Sequence, residues 1–159
     1  MWHGGCHSSG KRFDCDSENG GSIPLSHPMN KEIKDGGNLT MNFLVVDDSA
    51  TVRKMLSTVL KQEYPECKIV ESENGKEAFS KLKSESFHLI ITNLDMKEDG
   101  GTAFIHKLKG NKILAKKKIL VLTSSPEKAN GKFDESVKVV NKNSGQEKIK
   151  EAIKNILKK

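Results

Sequence analysis

The chain has 159 residues, 35% hydrophobic, 30% charged and only 5% aromatic. That is enough for one domain of ordinary size with an aliphatic core and too little for two. No stretch approaches the roughly 20 apolar residues needed to cross a bilayer, and no basic start followed by about 7–15 apolar residues marks a secretory signal. The net charge of +6 is uneven, because Lys107–Lys159 holds fifteen lysines against five acidic residues. A basic half can mean nucleic acid, but arginine and base-stacking aromatics are nearly absent there, so solvated lysine-rich helix faces are the expectation.

Residues 1–40 read as a disordered leader or tag-like extension, rich in Gly, Ser, His, Asp and Asn without helical or strand periodicity. Their ligand-type residues His3, Cys6, His7 and Cys15 match no zinc spacing. Gly36-Gly37, shortly before Met41, fit a purine-rich ribosome site in the coding DNA, which would place the native start at Met41. The three cysteines, Cys6, Cys15 and Cys67, are odd in number and far apart, which points to a reducing cytoplasm rather than a disulfide framework.

From Met41 the texture changes. Asn42-Phe43-Leu44-Val45-Val46 is an apolar run ending in Asp47-Asp48, the pattern of a buried parallel strand. Ser49 is a helix N-cap candidate, and Val52, Met55, Leu56, Val59 and Leu60 recur at helical spacing. Lys68-Ile69-Val70 predicts a second strand; Asn74-Gly75 breaks the chain; Ala78, Phe79 and Leu82 mark a second helix. Phe87–Thr92 predicts a third strand, Asp99-Gly100-Gly101 a turn, and Ala103, Phe104, Ile105 and Leu108 a third helix. Lys118–Thr123 and Val137–Val140 predict the last two strands, and Ile149, Ala152, Ile153, Ile156 and Leu157 the stripe of a closing helix. This alternation predicts a doubly wound α/β fold, a five-stranded parallel sheet with helices on both faces.

Sites in such folds gather beyond the carboxyl ends of the strands. Those ends carry Asp47 and Asp48, then Asn93, Thr123 and Lys142. Two adjacent acids can hold a hard cation such as Mg2+ through oxygen, and a hydroxyl and a lysine on neighbouring strands can receive phosphoryl oxygens.

With these residues in view, 41–159 resembles a response-regulator receiver domain of two-component signalling. The stretch Val45-Val46-Asp47-Asp48-Ser49-Ala50-Thr51-Val52-Arg53 is most similar to the small chemotaxis-type receivers. The resemblance implies that Asp47 and Asp48 position Mg2+, joined by the backbone carbonyl of Asp95, that Thr123 senses a phosphoryl group, and that Lys142 pairs with it. The separations fit too: 45 residues from Asp48 to Asn93 and 30 from Asn93 to Thr123.

Asn93 is the decisive departure. It stands at the family's phosphoacceptor aspartate, with Met96 fixing the alignment, and an amide cannot form the acyl phosphate that a carboxylate forms. Lys97 and Asn143 replace family prolines, and Val139 replaces an aromatic switch residue. The interval from Thr123 to Lys142 is only 19 residues, so the family's fourth helix, near Glu127–Gly131, is expected to be stunted.

The resulting expectation is a cytoplasmic, non-enzymatic pseudo-receiver that works by protein–protein contact, independently of phosphorylation, with a weakly held Mg2+. A histidine kinase, which it could dock on and shield from other receivers, or a downstream target is the expected partner. Two alternatives stay open: an ordinary phosphorylatable regulator carrying an engineered or allelic Asp-to-Asn change, and a nucleic-acid-associated module using the basic half. In a pocket that works without a phosphoryl group, Lys142 is expected to neutralise the Asp47/Asp48 pair, since buried like charges need a counter-charge, and charge reversal in the Lys148–Lys154 stretch is expected to weaken partner binding.

Overall fold

A computed structural model describes residues 40–97, 100–112, 114–129, 133–134 and 136–158. The expected 1–40 extension, Thr40 aside, lies outside the described residues, as do Asp99 of the predicted turn and Asn130-Gly131 of the stunted helix.

Five strands form one parallel sheet: β1 (Asn42–Val46), β2 (Lys68–Ser72), β3 (Leu89–Asn93), β4 (Ile119–Thr123) and β5 (Val137–Asn141), in the order β2-β1-β3-β4-β5. Four α-helices connect or close it: α1 (Ala50–Glu63), α2 (Gly75–Ser84), α3 (Gly101–Gly110) and α4 (Gln146–Lys158). The predicted doubly wound α/β sheet is the observed one. Between β4 and β5 the described residues form only a 3-10 turn, Pro126–Ala129. This agrees with the short interval and the poor helix sequence of this connection: no α-helix lies among its described residues.

β3 and β4 are apolar almost throughout and buried on both faces, as a central parallel strand must be. Alternate residues feed two cores. Leu44, Val46, Ile90 and Val121 pack with Ala78 and Leu82 of α2 and with Phe104, Ile105 and Leu108 of α3. Phe43, Val45, Ile91, Leu120 and Leu122 pack with Leu56 and Leu60 of α1 and with Ile149, Ala152 and Ile153 of α4. Each such fully buried aliphatic contributes about 1.5–3 kcal/mol of transfer free energy, which fixes helices on both sides and the site at the edge between them.

Some expectations shift in detail. Phe87 and His88 precede β3 rather than belonging to it, and Asn93 is its last residue. Asn74 does more than break the chain: its side chain accepts the Glu77 N–H at 2.9 Å and caps α2. The Glu77 carboxylate reaches back to the Glu73 N–H and the Ser72 hydroxyl and pairs with Lys81; these bonds, Lys81 first, hold its pKa down at about 2.

Gly101 opens α3 against the end of β3. A Cβ there would lie 1.9 Å from the Asn93 carbonyl oxygen and 2.7 Å from Leu94 Cα. Both are backbone, so neither can rotate away. Gly101→Ala is expected to push α3 off the strand end and cost about 3 kcal/mol, read as a lower denaturation midpoint at unchanged slope. A midpoint equal to the native one would show that the loop yields freely.

Candidate functional site at the carboxyl end of the sheet

The connection after β1 leads to β2 on one side and that after β3 leads to β4 on the other, and the crevice between β1 and β3 is where an open α/β sheet places a site. β1 delivers Asp47 and Asp48 to it, β3 delivers Asn93, β4 delivers Thr123, and the segment after β5 delivers Lys142. The structure thus brings all five predicted residues to one end of the sheet.

Asp47 is 1% exposed. Its Oδ1 accepts the Ser49 N–H at 2.9 Å and its Oδ2 lies 2.9 Å from Lys142 Nζ. Lys142 was expected to neutralise both acids, but its carboxylate partner is Asp47. Asp48 projects to solvent and accepts from Asn93 Nδ2 at 3.4 Å. The reason is geometric: successive residues leaving a strand point to opposite sides, so the Lys142 ammonium, on the Asp47 side, pairs with Asp47.

Asn93 is buried and uses both ends of its amide. Its Oδ1 accepts the Asp95 N–H at 3.1 Å, and its Nδ2 is shared between Asp48 and the Asp95 carbonyl, each at 3.4 Å. Thr123 is fully buried; its hydroxyl donates to Asp95 Oδ2 at 2.9 Å and accepts the Ser125 N–H at 3.0 Å. The other Asp95 oxygen lies 3.5 Å from Lys128 Nζ. Met96, which fixed the alignment, is buried in the core under α3 and anchors this loop.

Three contributions were not singled out from the sequence. Arg53 is only 8% exposed. It donates to the Asp47 carbonyl at 2.8 Å and to Glu71 and Glu73, stitching α1 to the ends of β1 and β2. Asp95 matters through its side chain as well as its carbonyl. Lys128 enters from the 3-10 turn. Arg53 carried a sequence signal, as the residue ending the Asp47–Arg53 motif; Lys128 carried none, being one lysine among many.

The Lys148–Lys154 expectation also changes. Lys150 and Lys154 lie 3.8 and 2.5 Å from the Glu63 carboxylate, so α4 is clamped to α1 through them. The hydrogen bond from Lys154 is the main cause of a lowered Glu63 pKa and a raised Lys154 pKa. Charge reversal there would disturb the fold's own clamp before any partner.

Sequence comparison decides the family. The response regulator receiver domain matches residues 43–154. This chain is a response regulator receiver. The chemotaxis protein CheY homolog of Campylobacter jejuni (serotype O:2) is 32% identical over 90 residues, covering 56% of this receiver and 68% of the relative. Among solved structures, the Vibrio cholerae chemotaxis protein CheY4 superposes with a TM-score of 0.65 at 27% identity, covering 74% of this receiver and 99% of that chain. The Thermotoga maritima response regulator TrrA, solved in complex with Mg2+-BeF, gives a TM-score of 0.65 at 28% identity, covering 74% and 100%. The receiver is therefore a CheY-like module of two-component signalling.

The family implies Mg2+. Among the described residues no group of three or more His, Cys, Asp or Glu side chains is placed to hold a metal ion. The donors present are nevertheless hard oxygens: the exposed Asp48 carboxylate, the Asp95 carbonyl beside it, and Asp47, already paired with Lys142. Such a set suits a hard cation with a largely retained hydration shell.

Proposed function

We propose that this receiver signals by protein–protein contact without being phosphorylated. The observation that carries the reading is Asn93: an amide, not a carboxylate, sits between Asp48 and Asp95 at the end of β3. The TrrA relative, solved with Mg2+-BeF, supports Asp47, Asp48 and the Asp95 carbonyl as the residues that would hold Mg2+ here, supplying positive charge to a bound anion. Thr123 and Lys142 are the groups that would face such an anion. The partner is a histidine kinase or a downstream target, and residues 41–159 are the unit it meets. No helix among the described residues is long and apolar enough to cross a membrane, and a cytoplasmic place suits a partner of that kind.

The nucleic-acid reading is the weaker one. Lys109, Lys128, Lys142, Lys150 and Lys154 each hold a carboxylate of this same chain, which leaves less of the basic half for phosphates. An Asp-to-Asn replacement in an otherwise ordinary regulator is favoured by one fact, the retention of Asp47, Asp48, Thr123 and Lys142 together; the natural gene sequence separates the two.

The direct test is incubation of the native chain with acetyl phosphate and Mg2+, followed by intact mass. No phosphoryl adduct is expected, and an adduct on a carboxylate would overturn the proposal.

Mg2+ itself provides a further check. Asn93→Asp adds one negative charge beside Asp48, and hard cations favour charged oxygen ligands. The variant is expected to bind Mg2+ roughly tenfold more tightly, about 1.4 kcal/mol, in a titration against the native chain. Equal affinities would show that position 93 does not contribute to the cation site.

A further inference from the structure

The loop after β3 is tied down from two sides. On one side, the Asn93 amide clasps the Asp95 backbone, accepting its N–H and donating to its carbonyl. On the other, the Asp95 carboxylate takes the Thr123 hydroxyl with one oxygen and faces Lys128 with the other. The Thr123 hydroxyl has a single proton, and it goes to Asp95. One of its two lone pairs takes the Ser125 N–H, the first bond of the turn after β4. The next bond of that turn, from the Lys128 N–H to the Ser125 carbonyl at 3.1 Å, follows directly, and Ala129 then buries itself in the core.

From this chain of contacts we infer that Asp95 is an internal latch. Its carboxylate satisfies Thr123 from within the molecule and so holds the turn Pro126–Ala129 against the pocket in one arrangement. The inference rests on the reading that the pocket works without a phosphoryl group, and it says what takes that group's place: a carboxylate of the chain itself. The Thr123 bond is the strong half of the latch, because a hydroxyl donating to a carboxylate is charge-assisted and this hydroxyl is fully buried. The Lys128 contact is the weak half, since the lysine side chain is 59% exposed and the separation is 3.5 Å. Asn93 belongs to the same device. A carboxylate at position 93 could accept the Asp95 N–H but could not donate to the Asp95 carbonyl or to Asp48.

The reporters are the amides of Ser125 and Lys128, read by native-state hydrogen exchange on the full chain. Asp95→Ala is expected to speed exchange at both by about tenfold or more. Thr123→Val should do at least as much, because it removes the Asp95 contact and also the acceptor of the Ser125 N–H, and the double variant should add little to Thr123→Val, which already lacks the Asp95 contact. Asp95→Asn retains an acceptor for Thr123 and should change exchange by less than about threefold. Amides of β1 and β3 serve as internal controls and should stay protected. If Asp95→Ala exchanges within twofold of the native chain at Ser125 and Lys128, the latch does not exist. Strict additivity of the two single effects would overturn it as well. Uptake of phosphoryl by the native chain is a separate result: it would remove the unphosphorylated reading while leaving the exchange measurements to decide whether Asp95 holds the turn.

Discussion

The Asn93→Asp variant is expected to take up a phosphoryl group from acetyl phosphate in the presence of Mg2+, where the native chain takes none. The substitution restores a carboxylate nucleophile at the end of β3, among Asp47, Asp48, Thr123 and Lys142. The amide is weakly nucleophilic and forms no acyl phosphate; the carboxylate forms one by attack on phosphorus with departure of acetate. The gain has a cost that is also measurable. Asn93 donates to Asp48 and to the Asp95 carbonyl; a carboxylate cannot donate, and it faces Asp48 as a like charge. Without Mg2+ the variant should therefore be less stable than the native chain, by about 1–3 kcal/mol. Added Mg2+ should recover stability in proportion to the logarithm of its concentration. A variant that stays unmodified under these conditions would mean that the pocket lacks more than its nucleophile.

The second large effect is on stability. Lys142→Ala should destabilise the fold by about 3 kcal/mol, because it leaves the Asp47 carboxylate, 1% exposed, without its counter-charge. The Ser49 N–H still reaches Asp47 Oδ1, so the loss is less than that of a wholly unpartnered ion. Chemical denaturation should report it as a lower midpoint. A companion variant checks the cause: in the Lys142→Ala background, Asp47→Asn removes the stranded charge and should return a good part of the loss. If the double variant is as unstable as the two losses added, the ion pair is not what Lys142 supplies.

Much of this architecture follows from local pattern. β1 and β4 declare themselves as short runs that are apolar but for Asn42 and Thr123 at their ends, and the polar residues at their carboxyl ends meet because parallel strands all end on the same side of the sheet. The pocket was readable for the same reason: Asp47, Asp48, Asn93, Thr123 and Lys142 need only be strand-end residues to meet. What resisted reading was direction and pairing. Nothing in the sequence says that Asp48 turns outward while Asp47 turns in, or that Lys142 chooses one of them. Nor does it say that Asp95 uses its side chain on Thr123, since that contact depends on a loop conformation held by Met96 and Gly101 in the core. Lys150 and Lys154 looked like part of a solvated lysine face, and only the packing of α4 on α1 brings Glu63 under them. The shortness of the connection between β4 and β5 was visible as a shortfall of residues, whereas the role of Lys128 in its 3-10 turn was not.

The Lys142–Asp47 pair joins residues 95 positions apart. During synthesis Asp47 leaves the ribosome early, and the cation it is buried with arrives only after all five strands have been made. Until then the Asp47 side of the crevice is held open by an unmatched charge, so burying the end of β1 is unfavourable in every shorter nascent chain. A ribosome-bound chain ending before Lys142 should keep the carboxyl end of β1 accessible, and one extended past it should close there.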